Sequence, residues 1–193
     1  MIEQVTVFAA SSRRVPARYL QAAEDTARVL AANGVKVIYG GGSLGLMGSL
    51  ANRMIREGGY IRGIIPRFMI DAEWAHRGLN ELVVVETMHE RKRAFLEATD
   101  AVIALPGGTG TLEELMESIT LKRLGMLTCP IVLINTGGFY DPLLSFLEKM
   151  VEEHFLRPEH RRMWTVTDRP ENLMEAIRSS DGWDSSAIGF ALV

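Results

Sequence analysis

Short apolar runs alternate along the chain with longer stretches of helical period. The runs at 4–10 (QVTVFAA), 35–39 (VKVIY), 60–65 (YIRGII), 82–85 (LVVV), 101–105 (AVIAL) and 131–134 (IVLI) predict strands, and 163–167 (MWTVT) predicts a short seventh. Most are continuous Val/Ile/Leu runs rather than alternating ones, the pattern of strands covered on both faces. The periodic stretches predict helices over 16–32, 45–57, 88–98, 112–125, 142–153 and 170–178. Asn33-Gly34 reads as the C-cap pair of the first helix, and Asp141-Pro142 as an N-cap acid followed by proline at the first helical position. Segment 66–80 (PRFMIDAEWAHRGLN) has no clean period and reads as a long loop able to cover a site. This alternation predicts an α/β fold: a Rossmann-like, doubly wound, mostly parallel sheet of six or seven strands flanked by helices, with ligands beyond the carboxyl ends of the strands. One domain is expected over 1–178. The Gly/Ser-rich tail over 179–193 is expected to be loose or to pack on a partner subunit.

Composition narrows the function classes. With 193 residues, 47% hydrophobic and 23% charged, the chain can bury one sizeable core and is not a disordered polymer. No apolar run approaches the roughly 18–20 residues of a membrane span, so no membrane partner is expected. The opening MIEQVTVFAASS lacks the basic flank and apolar centre of a signal peptide. Cys129 is the only cysteine, which excludes a disulfide framework and makes a cytoplasmic protein the simplest reading. A net charge of −3 argues against a generic grip on nucleic acid. All basic residues but Lys36, Lys92, Lys122 and Lys149 are arginine, which suits forked recognition of phosphates and carboxylates.

Two glycine loops carry the candidate chemistry. The first, Tyr39-Gly40-Gly41-Gly42-Ser43-Leu44-Gly45-Leu46-Met47-Gly48, follows the second strand and formally contains G-x-G-x-x-G at Gly40, Gly42 and Gly45. It stands as a tight strand–helix turn, as a wall or phosphate contact of a mononucleotide site, or as a dinucleotide loop. The last is disfavoured because no acid ends the next strand. The second loop, Pro106-Gly107-Gly108-Thr109-Gly110-Thr111-Leu112-Glu113-Glu114, follows an apolar strand and opens a helix with an apolar stripe. Its glycines let successive N–H groups point inward, and Thr109 and Thr111 add hydroxyls, a cup suited to a phosphate monoester. Without Gly-Lys-Ser/Thr it is not a triphosphate loop. Glu114 has two readings: partner of Thr111 in a capping box, or a carboxylate within a sugar's length of a docked phosphate.

Met88-His89-Glu90-Arg91-Lys92-Arg93 puts cations at the start of a helix, against its dipole, where Glu86 and Glu90 offset only part of the charge. An anion explains such an arrangement for Arg91 and Lys92; Arg93 reads as solvated. His76, His89, His154 and His160 show no metal-ligand spacing, so no metal is expected. Ser11 and Ser12 sit where an α/β fold often places ligand contacts, or else cap the first helix.

Together YGGGSLGLMG (39–48), MHERK (88–92) and PGGTGTLEE (106–114), with IPRFM (65–69) and GGFYDPLL (137–144), resemble the LOG ("Lonely guy") family over about residues 5–155. Many of these cytokinin riboside 5′-monophosphate phosphoribohydrolases were once labelled lysine decarboxylases. The resemblance implies hydrolysis of the N-glycosidic bond of AMP or a prenylated AMP, with Arg91 and Glu114 as the catalytic pair. It implies substrate contacts from Lys92, Glu73, Thr120 and the stretch Gly108, Thr109, Gly110, Thr111, Leu112 and Glu113. Gly107, Gly42 and Ser12 complete the expected site. It implies no cofactor, a nucleotide as the small-molecule partner, and a homodimer whose sites border the partner chain. One departure is Ala9-Ala10-Ser11-Ser12, where the family commonly has Cys-Gly-Ser-Ser. A carrier of a nucleotide or molybdopterin-type cofactor is the alternative to hydrolysis.

Overall fold

A computed structural model describes residues 1–72 and 74–191. In chain order the elements are β1 (Gln4–Phe8), α1 (Ala17–Ala32), β2 (Lys36–Tyr39), α2 (Gly45–Arg56), β3 (Ile61–Pro66), α3 (Arg67–Asp71) and β4 (Glu81–Val85). There follow α4 (Met88–Leu96), β5 (Ala101–Ala104), α5 (Thr109–Arg123), β6 (Ile131–Ile134), α6 (Asp141–Glu152), β7 (Thr165–Thr167) and α7 (Leu173–Ser179). The strands form one sheet in the order β4-β3-β2-β1-β5-β6-β7, and every pair is parallel. β1 is therefore flanked by β2 on one side and β5 on the other. The winding reverses there, which opens a crevice at the carboxyl ends of β1 and β5.

Burial follows from this topology. Every residue of β5 and β6 is buried, whereas edge strand β4 alternates. One face of the sheet packs on α1, α2 and α7 through Leu30, Leu50, Met54 and Leu173. The other packs on α4 and α5 and the start of α6 through Phe95, Leu115, Ile119 and Tyr140. Helix α1 ends as the Asn33-Gly34 pair requires: Gly34 takes φ +68° and Val35 N–H donates to Leu30 O at 3.0 Å. Among the described residues no helix is long and apolar enough to cross a membrane.

Four local readings change. Segment 66–80 is not all loop, because α3 forms one short turn directly after β3. A turn of five residues is too short to show a period. Helix α5 starts at Thr109, three residues before the apolar stripe, with Gly108 at its N-cap. Asp141 begins α6 instead of capping it, and its carboxylate accepts a 2.8 Å bond from Asn135 Nδ2. The tail, through residue 191, packs on helix α5 of its own chain and on itself. Trp183 Nε1 donates to Lys122 O, Arg123 Nη2 donates to Ala191 O, and Trp183 meets Phe190 edge to face at 5.6 Å. Residues 192 and 193 lie outside the described residues.

Candidate active site

The crevice at the switch point holds a cavity of about 350 Å³. Its floor is the end of β1 and the residues that follow, from Val7 to Ser12; one wall is the start of α5, and Met47, Met69, Trp74 and Met88 form an apolar side opposite. Gly40, Arg91, Glu113 and Glu114 complete the lining.

The α5 wall has the chemistry to receive an anion because of how the helix begins. With Gly108 at the N-cap, the N–H groups of Thr109, Gly110 and Thr111 precede the first i→i−4 bond, which Leu112 N–H makes to Gly108 O at 3.0 Å. The three glycines here answer to different constraints. A Cβ on Gly107 would lie 2.1 Å from Thr111 Oγ1, so packing inside the chain demands that glycine. Gly108 and Gly110 have nothing within 4 Å of a Cβ position and no positive φ, yet both line the cavity. The chain's own packing does not require glycine at either position, and the missing side chains leave room for a close ligand.

Glu114 stands on the first turns of α5 and is largely buried, its side chain 13% exposed. Because α5 begins before Thr111, the Thr111–Glu114 capping box does not form. A real N-cap occurs instead at α4, where Thr87 Oγ1 accepts from Glu90 N–H at 3.1 Å. The nearest cation to Glu114 Oε1 is Arg91 Nη1 at 4.0 Å, and no hydrogen-bond donor among the described residues reaches the carboxylate. Burial pushes the Glu114 carboxyl up to about 7; Arg91 and Lys92 oppose the shift, and Glu113 and Glu117 add to it.

Arg91 leaves α4 inward and is 7% exposed. Nε donates to Ile64 O at 3.1 Å, Nη2 donates to Gly40 O at 2.9 Å, and the guanidinium lies 5.1 Å from the centre of the Phe95 ring. Burial pulls its proton affinity below the usual arginine range, and Glu114 restores part of it. With two edges tied to main-chain carbonyls, Nη1 is the group left to face the cavity.

The other expected site residues divide. Thr109, Gly110, Thr111, Glu113, Gly108 and Ser12 line the cavity with Arg91 and Glu114. Lys92 does not: its Nζ sits 2.6 Å from Glu113 Oε1 and 3.4 Å from Glu117 Oε2, outside the cavity. Thr120 donates back to Met116 O on an exposed face of α5, and Leu112 is exposed beyond the cavity. Gly42 is tied by a bridge to Ala75 and accepts from Tyr39 Oη at 3.2 Å, away from the lining. Glu73 lies outside the described residues. Arg93 is solvent-exposed, as its position in the basic run predicts. The first glycine loop does not present a free helix N-terminus: Met47 N–H donates to Ala10 O at 3.1 Å, and the carbonyls of Ser11 and Ser12 crowd Gly45. Sequence reasoning looked for an apolar pocket among the Met and aromatic residues of segment 66–80, where Met69 and Trp74 lie, but named none of Met47, Met69, Trp74 or Met88, because periodicity does not tell which side chains turn into a cavity. Among the described residues no group of three His, Cys, Asp or Glu could hold a metal.

These features define a class: a doubly wound α/β protein with an anion-receiving helix start and a buried glutamate–arginine pair at its switch point. The family model described as possible lysine decarboxylase matches residues 47–177. The cytokinin riboside 5′-monophosphate phosphoribohydrolase of Rhodococcoides fascians is 43% identical over 92% of this chain and 90% of its own length. The Arabidopsis thaliana cytokinin riboside 5′-monophosphate phosphoribohydrolase LOG5 is 38% identical over 92% of this chain and 78% of its own. The chain belongs to this LOG family. Among solved structures, the molybdenum cofactor binding protein of Rippkaea orientalis superposes with a TM-score of 0.70 at 19% identity, over 93% of this chain and 97% of that one, which is a likeness of fold.

The older family description implies pyridoxal phosphate on a Schiff-base lysine. The residues do not fit it. None of the four lysines lines the cavity; Lys92 is held by two glutamates, and Lys122 is buried with Nζ on Cys129 O at 2.7 Å.

Proposed function

We propose that this chain is a nucleoside 5′-monophosphate phosphoribohydrolase, releasing adenine or a prenylated adenine from AMP or a cytokinin ribotide and leaving ribose 5-phosphate. The observation that carries the reading is the meeting, in one cavity, of a helix start with two sterically unforced glycines and the buried Glu114–Arg91 pair. The 5′-phosphate docks on the N–H groups of Thr109, Gly110 and Thr111. One turn further along α5, Glu114 meets the ribose. As the C1′–N9 bond breaks, the base leaves with the electron pair and positive charge develops at C1′. The Glu114 carboxylate stabilises that charge and orients the water whose oxygen forms the new bond to C1′, and the proton which that water loses ends on the released base. Arg91 orders the phosphate–carboxylate array and assists departure of the base. Met47, Met69, Trp74 and Met88 offer the base, or a prenyl tail on it, an apolar wall.

Incubating the pure protein with AMP and with isopentenyl-AMP, and assaying free base, tests the reading. Base release at catalytic turnover is expected; tight binding without release favours a carrier. Gly108→Ala separates the phosphate dock from the fold. Its methyl group meets no protein atom, so the melting temperature should stay within about 1–2 °C of wild type, a change below ~0.5 kcal/mol. KM for AMP should rise at least tenfold, because the methyl occupies the space the phosphate needs. An unchanged KM would remove the phosphate from this cup.

The homodimer belongs to the same proposal. Phe68, Trp74, Met88 and Leu112, all exposed, lie in or beside the lining segments, an apolar rim that a second copy would cover. Sedimentation read against the 21.4 kDa chain mass checks it. A single half-buried thiol, Cys129, fits a cytoplasmic setting.

A further inference from the structure

The proposed reaction gives the first glycine loop no contact with the phosphate, yet Gly40 lines the cavity and is tightly constrained against Arg91. A Cβ there would lie 2.5 Å from Arg91 Nη2 and 2.9 Å from Met47 Sδ, so no side chain fits while the guanidinium keeps its place. Gly40 O accepts the bond from Nη2, and Ile64 O, on the neighbouring strand β3, accepts from Nε. Gly40 directly follows β2 and Ile64 lies within β3, each one residue beyond the paired Tyr39 and Gly63 of these adjacent parallel strands. Phe95, one turn along α4 from Arg91, closes the socket from the helix side. Phe95 is itself fixed, since its carbonyl accepts from the buried Thr6 Oγ1 on β1.

We infer that Gly40 is a positioning residue: its missing side chain and its carbonyl form a socket that fixes the Arg91 guanidinium with Nη1 toward Glu114. The inference rests on the hydrolase reading for its catalytic consequence, though not for the socket. An arginine side chain has four rotatable bonds, and a merely electrostatic pairing would leave it free to swing to solvent. Two carbonyl acceptors held by adjacent strands remove that freedom, leaving a single direction for the remaining nitrogen. The glycine-rich sequence after β2 then serves an arginine of this chain rather than a phosphate.

A double-mutant cycle tests this. Gly40→Ala should lower kcat/KM for AMP hydrolysis about 100-fold, the scale of a 1 Å misplacement of a reacting group. It should also move the Glu114 carboxyl titration to higher pH. Of the charged groups near that carboxyl, Arg91 and Lys92 lower its proton affinity and Glu113 and Glu117 raise it, and only Arg91 is displaced. Carbon NMR of glutamate-labelled protein, with the resonance assigned through Glu114→Gln, reads the titration without any turnover. Arg91→Lys removes Nη2, so in that background adding Gly40→Ala should leave the titration unmoved and cost the residual rate no more than the few-fold owed to its contact with Met47 Sδ. An equal loss in both backgrounds, or an unmoved Glu114 titration in Gly40→Ala, would overturn the socket. If Gly40→Ala alone fails to fold, recovery of folding in the Arg91→Lys background supports the socket, and failure in both overturns it. Should the wild-type protein release no base from AMP, the hydrolase reading falls while the NMR cycle still decides the socket.

Discussion

Glu114→Gln should lower the release of adenine from AMP by about 100-fold or more, a barrier increase of about 2.7 kcal/mol. KM should stay within a fewfold of wild type. The substitution keeps the shape of the side chain and removes only its charge. That charge is the unpaired complement the cavity offers to a cation forming at C1′: the phosphate dock is made of N–H groups, Arg91 is itself positive, and Glu113, the other lining carboxylate, is paired with Lys92. The effect should also carry a pH signature. With its carboxyl pushed up to about 7, Glu114 loses its proton only near neutrality, so kcat/KM of the wild type should fall about tenfold per pH unit below that point. In Glu114→Gln that acid limb should disappear. Turnover like that of the wild type would leave Glu114 no role beyond helix α5.

The alternation of continuous Val/Ile/Leu runs with periodic segments showed the sheet and its helices, because strands buried on both faces leave an unambiguous trace. β5 and β6, buried at every residue, are the clearest cases. The glycine cup and its glutamate were legible for a similar reason: backbone chemistry at a helix start writes itself in residue types. What was not legible depends on side chains travelling far from their positions. Arg91 and Lys92 are neighbours in one basic run, yet one turns inward to Ile64 O and Gly40 O and the other outward to Glu113 and Glu117. No local pattern separates them. The start of α5 was misplaced because Thr109, Gly110 and Thr111 are poor helix formers; tertiary context, not propensity, makes them helical. The tail looked loose by composition, but its Trp183 and Phe190 form an aromatic contact that composition averages away.

The same Glu114→Gln protein should be more stable than wild type, and only above about pH 4.5. The sign follows from the direction in which burial moves the carboxyl. It is raised to about 7 from a reference of 4.5, so below pH 4.5 it is protonated in both folded and unfolded chains and costs nothing. Between 4.5 and 7 the unfolded chain ionises while the folded one resists, and stability falls with rising pH. Above 7 the loss levels off at about 3 kcal/mol, since each pH unit between the unfolded and folded midpoints costs ~1.4 kcal/mol. Glutamine never ionises and escapes the penalty. The difference in melting temperature between variant and wild type should therefore be near zero at about pH 4 and grow to roughly 6–12 °C at about pH 8, taking about 2–4 °C per kcal/mol for a domain of this size. A difference independent of pH would mean that the Glu114 carboxylate is solvated or paired in the folded protein. A difference that appears between pH 4.5 and 7, in the variant that also loses turnover, would show a charge held in a dry site at the expense of the fold, which is how an electrostatic complement to a transition-state cation has to be kept.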